Sequence, residues 1–200
     1  MDIIRNSPFT LHVAPFERQF PSALPLRSIG YVPEKKDRVE RTFQSLNFSL
    51  ILSGRGRYRW RDQWRPVQAP CVITQYPGIP MNYGPDSCWE ELFLMYGPET
   101  YDHLCTTRFL DTEDPIWAVT PGPRLYDLLR QVHGLVRERS HGQWPDCLDR
   151  LAELLILETR RGPGPWPPSQ GEDRIRELAA SIQADPAQHI DWEQCAEQLG

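Results

Sequence analysis

Five aromatic side chains and one carboxylate occupy neighbouring strand-like segments, where they could bind a small molecule. They are Tyr58, Trp60, Tyr83, Trp89 and Phe93, with Glu91 between the last two. Aromatic rings stack on the apolar faces of a ligand. A carboxylate among them is costly to bury unless a ligand, or an arginine such as Arg41, pairs with it. Because the same rings could instead fill a small barrel completely, two interpretations remain open for these six candidate ligand-binding residues.

Histidine is missing from the segment that carries the aromatic residues. The five histidines are His12, His103, His133, His141 and His189, and none lies between the first two. A metal site inside a β-barrel commonly uses several imidazoles together with a carboxylate. Because the strand-like segments lack histidine, we expect no metal and no other cofactor. The sequence also has no nucleophile-elbow motif and no glycine-rich phosphate loop. These observations predict a protein that is not an enzyme.

The overall composition is typical of a soluble globular protein, with 40% hydrophobic and 24% charged residues. No apolar run approaches the roughly 20 residues that a membrane helix needs, and residues 1–10 do not have the pattern of a signal peptide. The five cysteines are scattered and never spaced as Cys-x-x-Cys, which favours reduced thiols. We therefore expect a cytoplasmic protein that does not contact a membrane.

The aromatic residues belong to a region, residues 28–96, that reads as short strands separated by turns. Arg57-Tyr58-Arg59-Trp60-Arg61 alternates strictly, which predicts a strand with arginines on a solvated outer face and rings on an inner face. Turn residues at 53–56, around 62–63 and at Pro77-Gly78 separate the strands. The pattern predicts a mainly β fold, an antiparallel barrel or sandwich. Residues 1–27 are proline-rich and read as an irregular arm.

Two amphipathic helices are expected between about residues 123 and 161. The first has an apolar stripe formed by Leu125, Leu128, Leu129, Val132 and Val136, with His133 packed beside it. The second carries more leucine than one contact with a sheet can bury, so part of it should pack against a second copy of the chain. We predict a homodimer through Leu148, Leu154 and Leu157, while Leu151 and Leu155 could equally face the sheet.

The chain is expected to divide into three parts. Residues 1–161 form the β domain with its two helices. Residues 162–171 contain four prolines and three glycines and predict a linker. Residues 172–200 predict a helical unit with seven acidic and two basic residues, a net charge of −5. This acidic balance does not suit the binding of a phosphate backbone.

Two parts of the sequence resemble transcription regulators of the AraC/XylS family. Residues 172–200 resemble the opening of the family's helix-turn-helix domain, and the matching residues are Asp191, Trp192, Cys195, Ala196, Leu199 and Gly200. Residues 47–97 resemble the cupin-like effector domain, with a Gly54-x-Gly56 hairpin, the Pro77-Gly78 turn and Trp89 opening the last strand. Ala69-Pro70 departs from the family pattern, which commonly has Gly-Asp before the next strand.

The resemblance implies a bacterial transcription regulator that responds to a small-molecule effector, such as a sugar. The cupin-like barrel would bind the effector beneath the proline-rich arm, and the helix pair would dimerise the protein. DNA would be bound by the full-length protein and not by this fragment, whose helix-turn-helix stops before the recognition helix. Two other classes remain open: a metal-independent cupin enzyme acting on a sugar, and a dimerisation scaffold with no ligand.

Overall fold

A computed structural model describes residues 8–139 and 142–161. The chain divides into two units, residues 1–162 and 163–200, and the described residues belong to the first. The predicted linker at 162–171 and the predicted helix-turn-helix segment at 172–200 lie outside the described residues.

The described chain is an antiparallel sheet that carries helices after its last long strand, so the predicted mainly β, cupin-like fold is confirmed. The strands are β1 (Phe9–His12), β2 (Leu26–Lys35), β3 (Val39–Thr42), β4 (Leu46–Trp60), β5 (Gln63–Gln68), β6 (Cys71–Gln75), β7 (Pro80–Tyr96) and β8 (Ile116–Ala118), and the helices are α1 (Pro98–Thr106), α2 (Pro123–Glu138) and α3 (Trp144–Thr159). The strands run in the order β1-β2-β7-β4-β6-β8, with β3 on β7 and β5 on β4. No helix among these residues is long and apolar enough to cross a membrane.

Two long strands, β4 and β7, form the centre of the sheet. They pair from Leu46 opposite Tyr96 to Arg59 opposite Asn82. The turn predicted at residues 53–56 is wrong: β4 continues through it, with breaks in register on either side of Gly54. Gly54 has a φ of +96°, and a Cβ there would lie 2.6 Å from the carbonyl oxygen of Cys88. The glycine therefore makes a bulge, and the same strand pairs first with β6 and then with β5.

The turns on either side of β5 differ from the sequence prediction in detail. The hairpin between β4 and β5 is centred on Arg61 and Asp62, which have φ values of +47° and +65°. Positive φ at both central residues is the pattern of a tight hairpin turn. The turn therefore lies one residue earlier than predicted, and Arg61 belongs to the turn. The Ala69-Pro70 peptide, which connects β5 to β6, is cis.

One face of the central strands packs beneath the C-terminal helices. Phe48 is fully buried there, with its ring centroid 6.1 Å from that of Trp117 on β8. The indole Nε1 of Trp117 donates a hydrogen bond to the hydroxyl of Thr159 on α3 at 3.3 Å. Because side chains alternate along a strand, Asn47, Ser49 and Glu91 point to the opposite face, called the inner face below.

Helices α2 and α3 form where the sequence predicted two helices. The burial of α3 shows that one residue of the predicted dimer surface was wrong. The whole apolar stripe of α2 is buried. On α3, Leu155 is buried, as is Leu148, which is 0% exposed. Leu148 is therefore wrong as a partner-facing residue, because the single chain already covers it. Leu154 and Leu157 remain 39% and 49% exposed.

The described part of the N-terminal arm is more ordered than predicted. Residues 9–12 form strand β1, which pairs with β2. Farther along, the carboxylate of Asp146 accepts hydrogen bonds from the backbone N–H groups of Gln19 and Phe20 at 3.2 and 2.6 Å. The buried Asp149 accepts from Arg18 Nε at 3.2 Å and from the Leu26 N–H at 2.9 Å. These contacts tie the arm to α3.

Candidate ligand-binding site

Four of the five aromatic residues singled out in the sequence form one cluster on the inner face. The rings of Tyr58 and Tyr83 stack at 6.1 Å between centroids, and those of Tyr83 and Trp89 at 6.3 Å. Trp60 continues the cluster, 6.4 Å from Tyr58. Their side chains are nearly fully buried, with Tyr58 at 0% and Trp89 at 1% exposure. The rings therefore fill this part of the sheet interior against one another.

Glu91 is buried beside the cluster and has a protein partner. Its Oε2 lies 2.6 Å from Lys35 Nζ and accepts a hydrogen bond from Trp89 Nε1 at 3.0 Å. The Lys35 ammonium also lies 5.0 Å from the centre of the Tyr83 ring. Arg41, the basic partner proposed from sequence, does not fill this role. The buried carboxylate is paired and hydrogen-bonded without a ligand.

Arg41 stands instead at the outer end of a stack of rings. Its guanidinium carbon lies 4.3 Å from the centre of the Phe43 ring. Phe43 stacks on Tyr83 at 6.5 Å with an interplanar angle of 22°, and Tyr83 stacks on Trp89 at 17°. The stack thus runs from an exposed guanidinium to the buried Trp89 and Glu91.

The inner face also carries polar side chains that are hydrogen-bonded within the chain. Ser49 donates from Oγ to Gln75 Oε1 at 3.3 Å, and the Tyr58 hydroxyl donates to the backbone carbonyl of Thr74 at 2.6 Å. Burial raises the pKa of Tyr58 and of Tyr83 far above the ordinary range, and it raises the pKa of Tyr76 to about 12. These phenols therefore stay neutral at physiological pH and act as hydrogen-bond donors.

A pocket of about 640 Å³ opens at the edge of this cluster. It is bounded by β3, the β4–β5 turn, the start of β7 and one side chain of α1, and its lining includes Arg41, Trp60, Met81, Asn82 and Tyr101. This volume falls within the roughly 300–1,000 Å³ of small-molecule sites. The space for a ligand therefore lies next to the aromatic cluster and not among its rings.

Charged side chains surround the mouth of the pocket, and most neutralise one another. Arg59 lies 2.7 Å from Asp62, and Arg61 donates to both carboxylate oxygens of Glu113 at 2.6 and 2.5 Å. Arg59 and Arg61 are about half exposed. Arg59 lies on the outer face as predicted, whereas Arg61 belongs to the β4–β5 turn. Arg41 has no ion-pair partner among the described residues.

Trp60 lines the pocket and has a buried indole nitrogen. Its side chain is 5% exposed, and within the part of the chain that the structure describes its indole Nε1 meets no acceptor. A buried donor without a partner is uncommon in native proteins. Because this nitrogen is itself buried, a ligand in the pocket would contact the ring of Trp60 and not its N–H group.

Of the six candidate residues from the sequence, only Trp60 lines the pocket. Tyr58, Tyr83, Trp89 and Glu91 form the packed cluster behind it. Phe93 lies farther along β7, where its ring covers Gly30 so closely that a Cβ on that glycine would be 2.2 Å from it. Lys35, Met81 and Tyr101 were not identified from sequence, and Arg41 was named there only as a possible partner of Glu91. Lys35 and Arg41 occur in a run of charged residues that reads as solvent-exposed.

Side chains that could hold a metal ion do not cluster in the described part of the chain. Over residues 8–139 and 142–161, no three or more His, Cys, Asp or Glu side chains converge. The expectation of a metal-free protein remains a prediction that elemental analysis has to test.

Comparison with known protein families identifies a match to this chain. The AraC-like ligand binding domain matches residues 35–155, which is more than half of the chain and spans β3 to β8 and most of α3. The chain belongs to the AraC-like ligand-binding domain family. The match includes the pocket, the aromatic cluster and the Lys35–Glu91 pair. The sequence resemblance to this effector domain is thereby confirmed, whereas the helix-turn-helix resemblance remains a prediction.

Solved structures with some likeness include cupins. A putative ethanolamine utilization protein Q from Salmonella typhimurium LT2 is 14% identical over 38% of this chain and 60% of its own, with a TM-score of 0.33. YhaK from Escherichia coli is 16% identical over 46% and 44%, with a TM-score of 0.36. A cupin superfamily protein from Desulfitobacterium hafniense DCB-2 is 15% identical over 46% and 79%, with a TM-score of 0.31. The chain thus spans less than two thirds of the first two. No curated protein matches it.

Proposed function

We propose that the chain is the effector-sensing part of a transcription regulator, and that its effector binds in the 640 Å³ pocket. The observation that carries the proposal is the position of this pocket. It lies within the AraC-like ligand-binding domain, and the ring of Trp60 forms part of its wall. A small polar molecule such as a sugar suits the site, because its ring could stack on an aromatic wall while its hydroxyl groups bind polar side chains.

The proposal includes no catalytic step. Of the acids at the pocket, Asp62 is paired with Arg59, and Glu40 pairs in register with Asn82, on the face opposite to Arg41. The buried phenols behind the pocket have raised pKa values and are poor bases at neutral pH. Binding without conversion is therefore the function that these groups support, in preference to a metal-independent enzyme acting on a sugar.

Helix α3 supplies a surface for dimerisation in the proposed regulator. Leu154 and Leu157 are one turn apart and remain 39% and 49% exposed. Covering such a pair favours association because apolar area leaves water. A symmetric dimer would set the same patch of each chain against the other. DNA recognition would belong to the full-length protein, through the domain that the sequence of residues 172–200 resembles.

The test is a thermal-shift screen of the purified chain against neutral sugars, sugar acids and other small polar metabolites. An effector at about a hundred times its Kd adds about 2.7 kcal/mol of stability, which for a chain of this size corresponds to about 5–10 °C in Tm. The effector should be recovered unchanged after long incubation. It should also alter transcription from a reporter controlled by the full-length regulator.

Two matched variants locate the binding. Thr42→Trp would fill the pocket, since Thr42 is exposed on its wall. Thr120→Trp adds the same bulk at an exposed loop position outside it. We expect the first variant to abolish the stabilisation and the second to keep it. Equal stabilisation of both variants would place the ligand elsewhere, and conversion of the ligand to a product would favour the enzyme.

A further inference from the structure

We infer that the effector is an anion, a hydroxylated carboxylic acid such as a sugar acid, whose carboxylate is bound by Arg41. The inference rests on the proposed function and specifies the ligand class of the same pocket. It starts from the one guanidinium of the pocket lining that has no ion-pair partner among the described residues.

The pairing of β3 with β7 fixes the direction of the Arg41 side chain. Arg41 is in register with Met81, and Val39 with Tyr83. Paired residues share a face of the sheet, and Met81 and Tyr83 are buried at 1% and 3% exposure. Arg41 therefore lies on the inner face, although its own side chain reaches far enough to remain exposed. Glu40, the neighbouring acid, lies on the other face and cannot neutralise it at close range.

The guanidinium of Arg41 packs against a ring and has no hydrogen-bond acceptor among the described residues. Its central carbon lies 4.3 Å from the centre of the Phe43 ring. The N–H donors of a guanidinium lie in its plane and form a fork that matches the two oxygens of a carboxylate. Stacking also restricts the side chain before a ligand arrives, so less conformational entropy is lost on binding. The geometry is that of a fixed cation with unused donors.

The other cations at the pocket do not compete for this role. Arg59 and Arg61 already lie 2.7 and 2.5 Å from the acids Asp62 and Glu113. Once these pairs are counted as neutral, two charged groups of the lining remain, Glu40 and Arg41. They lie on opposite faces of β3, so a carboxylate bound at Arg41 would give the guanidinium a direct counter-charge on the inner face, which a neutral ligand would not.

The rest of the pocket suits a ligand body with both apolar and polar surface. Trp60 and Met81 form apolar walls, and Tyr101 contributes a further ring from α1. Thr42, Thr112 and Asn82 add hydroxyl and amide groups to the lining. A carboxylate joined to a ring or chain that carries hydroxyl groups would use each of these surfaces.

The experiment compares pairs of compounds that differ in the carboxylate alone. Galacturonate is titrated against galactose, and glucuronate against glucose, by calorimetry with the whole chain. We expect at least one acid to bind about ten times or more tightly than its neutral partner, because a charge-assisted hydrogen bond is worth about that factor. Arg41→Gln should remove the preference, and Arg41→Lys should restore part of it. Arg57→Gln is the matched control, since Arg57 lies on the outer face, 63% exposed, and 3.5 Å from Asp86.

The outcomes separate the inference from the proposed function. If a neutral sugar binds as tightly as its acid, or if Arg41→Gln keeps the preference for the acid, the carboxylate inference is overturned while ligand sensing stands. If neither acid binds but a neutral compound of the thermal-shift screen does, the inference fails in the same way. If no compound binds in either experiment, both the inference and the proposed function fail.

Discussion

Replacing Glu91 with Gln tests the buried ion pair behind the pocket. Glu91 and Lys35 are 3% and 15% exposed, with 2.6 Å between their charged atoms. The substitution keeps an amide oxygen that can still accept the hydrogen bond from Trp89, but it removes the negative charge. The ammonium of Lys35 is then left among the rings of Tyr83 and Trp89, at 5.0 and 5.9 Å from their centres, without a carboxylate.

The magnitude follows from the depth of the pair. Removing one member of a buried pair costs about 3–5 kcal/mol, because the other charge remains desolvated. The 15% exposure of Lys35 and its contacts with two rings relieve part of that cost, so we expect about 3 kcal/mol. For a chain of this size, that corresponds to a fall in Tm of about 6–12 °C.

The assay is urea unfolding of three variants beside the wild-type chain. Glu99→Gln is the matched control, because Glu99 pairs with Arg27 at 3.1 Å but both side chains are about half exposed; it should change the unfolding free energy by less than about 1 kcal/mol. The double variant Lys35→Met with Glu91→Leu removes both charges and should be more stable than Glu91→Gln alone. The reasoning is refuted if Glu91→Gln costs no more than Glu99→Gln, or if the double variant is the least stable.

Four further predictions follow from the fold and from the sequence. Leu154→Glu combined with Leu157→Glu should turn a dimer into a folded monomer in equilibrium sedimentation, and a wild-type chain that is monomeric at tens of micromolar would contradict it. Burial raises the pKa of Asp149 above its ordinary value of 3.8, although hydrogen bonds from Arg18 and Leu26 act to lower it. The folded state therefore holds this proton more tightly than the unfolded state, and the free energy of unfolding should fall as pH rises from 3.8 through the raised pKa. Asp149→Asn should flatten this part of the pH–stability curve. Gly54→Ala should lower the free energy of unfolding in urea by about 2 kcal/mol or more, because the residue has a positive φ and its Cβ would clash with the Cys88 carbonyl. Gly78→Ala should lower it by less, because Gly78 has a φ of +76° but no atom within 4 Å of the added Cβ. Elemental analysis should find no stoichiometric zinc, iron, nickel or manganese, and one equivalent retained after dialysis would overturn that expectation.

The C-terminal helices of the described region could be predicted from the sequence because their pattern has a single interpretation. Five apolar residues at helical spacing in α2 all become buried. Helix α1 was missed for the converse reason. Over Pro98–Thr106 it buries Thr100 and Leu104 alone, which is too short a stripe to stand out from a loop.

The strands show where local sequence is ambiguous. Gly54 and its polar neighbours predict a turn, but a glycine with positive φ also serves in a bulge. The choice depends on whether a partner strand continues alongside, and β7 does, from Leu46 opposite Tyr96 to Arg59 opposite Asn82. That information lies in residues far along the chain.

The sequence predicted only part of the candidate site, because the other residues depend on strand pairing that local sequence does not reveal. Strict alternation placed Tyr58 and Trp60 on one face correctly, because alternation depends on the strand alone. Lys35 and Arg41 belong to a stretch of charged residues, and local sequence favours solvent for such a stretch. Pairing with β7 brings Lys35 opposite Trp89 and Arg41 opposite Met81, so their role is set by tertiary contacts.

The two alternatives for the aromatic residues, a filled interior or a ligand cavity, each hold in a different part of the same face. The rings of Tyr58, Tyr83 and Trp89 pack against one another, with 6.1–6.3 Å between neighbouring centroids, and fill the deeper part of the inner face. Near the start of β7 the inner face is no longer filled by these rings, because β3 ends at Thr42 and β4 ends at Trp60. The start of β7 pairs with both of these strands, and the 640 Å³ pocket occupies the gap beside the end of β3 and the β4–β5 turn. Since Arg41 reaches this gap over Phe43, which stacks on Tyr83, a ligand there would rest on a wall that is already rigid, and its binding would order few side chains beyond those it touches.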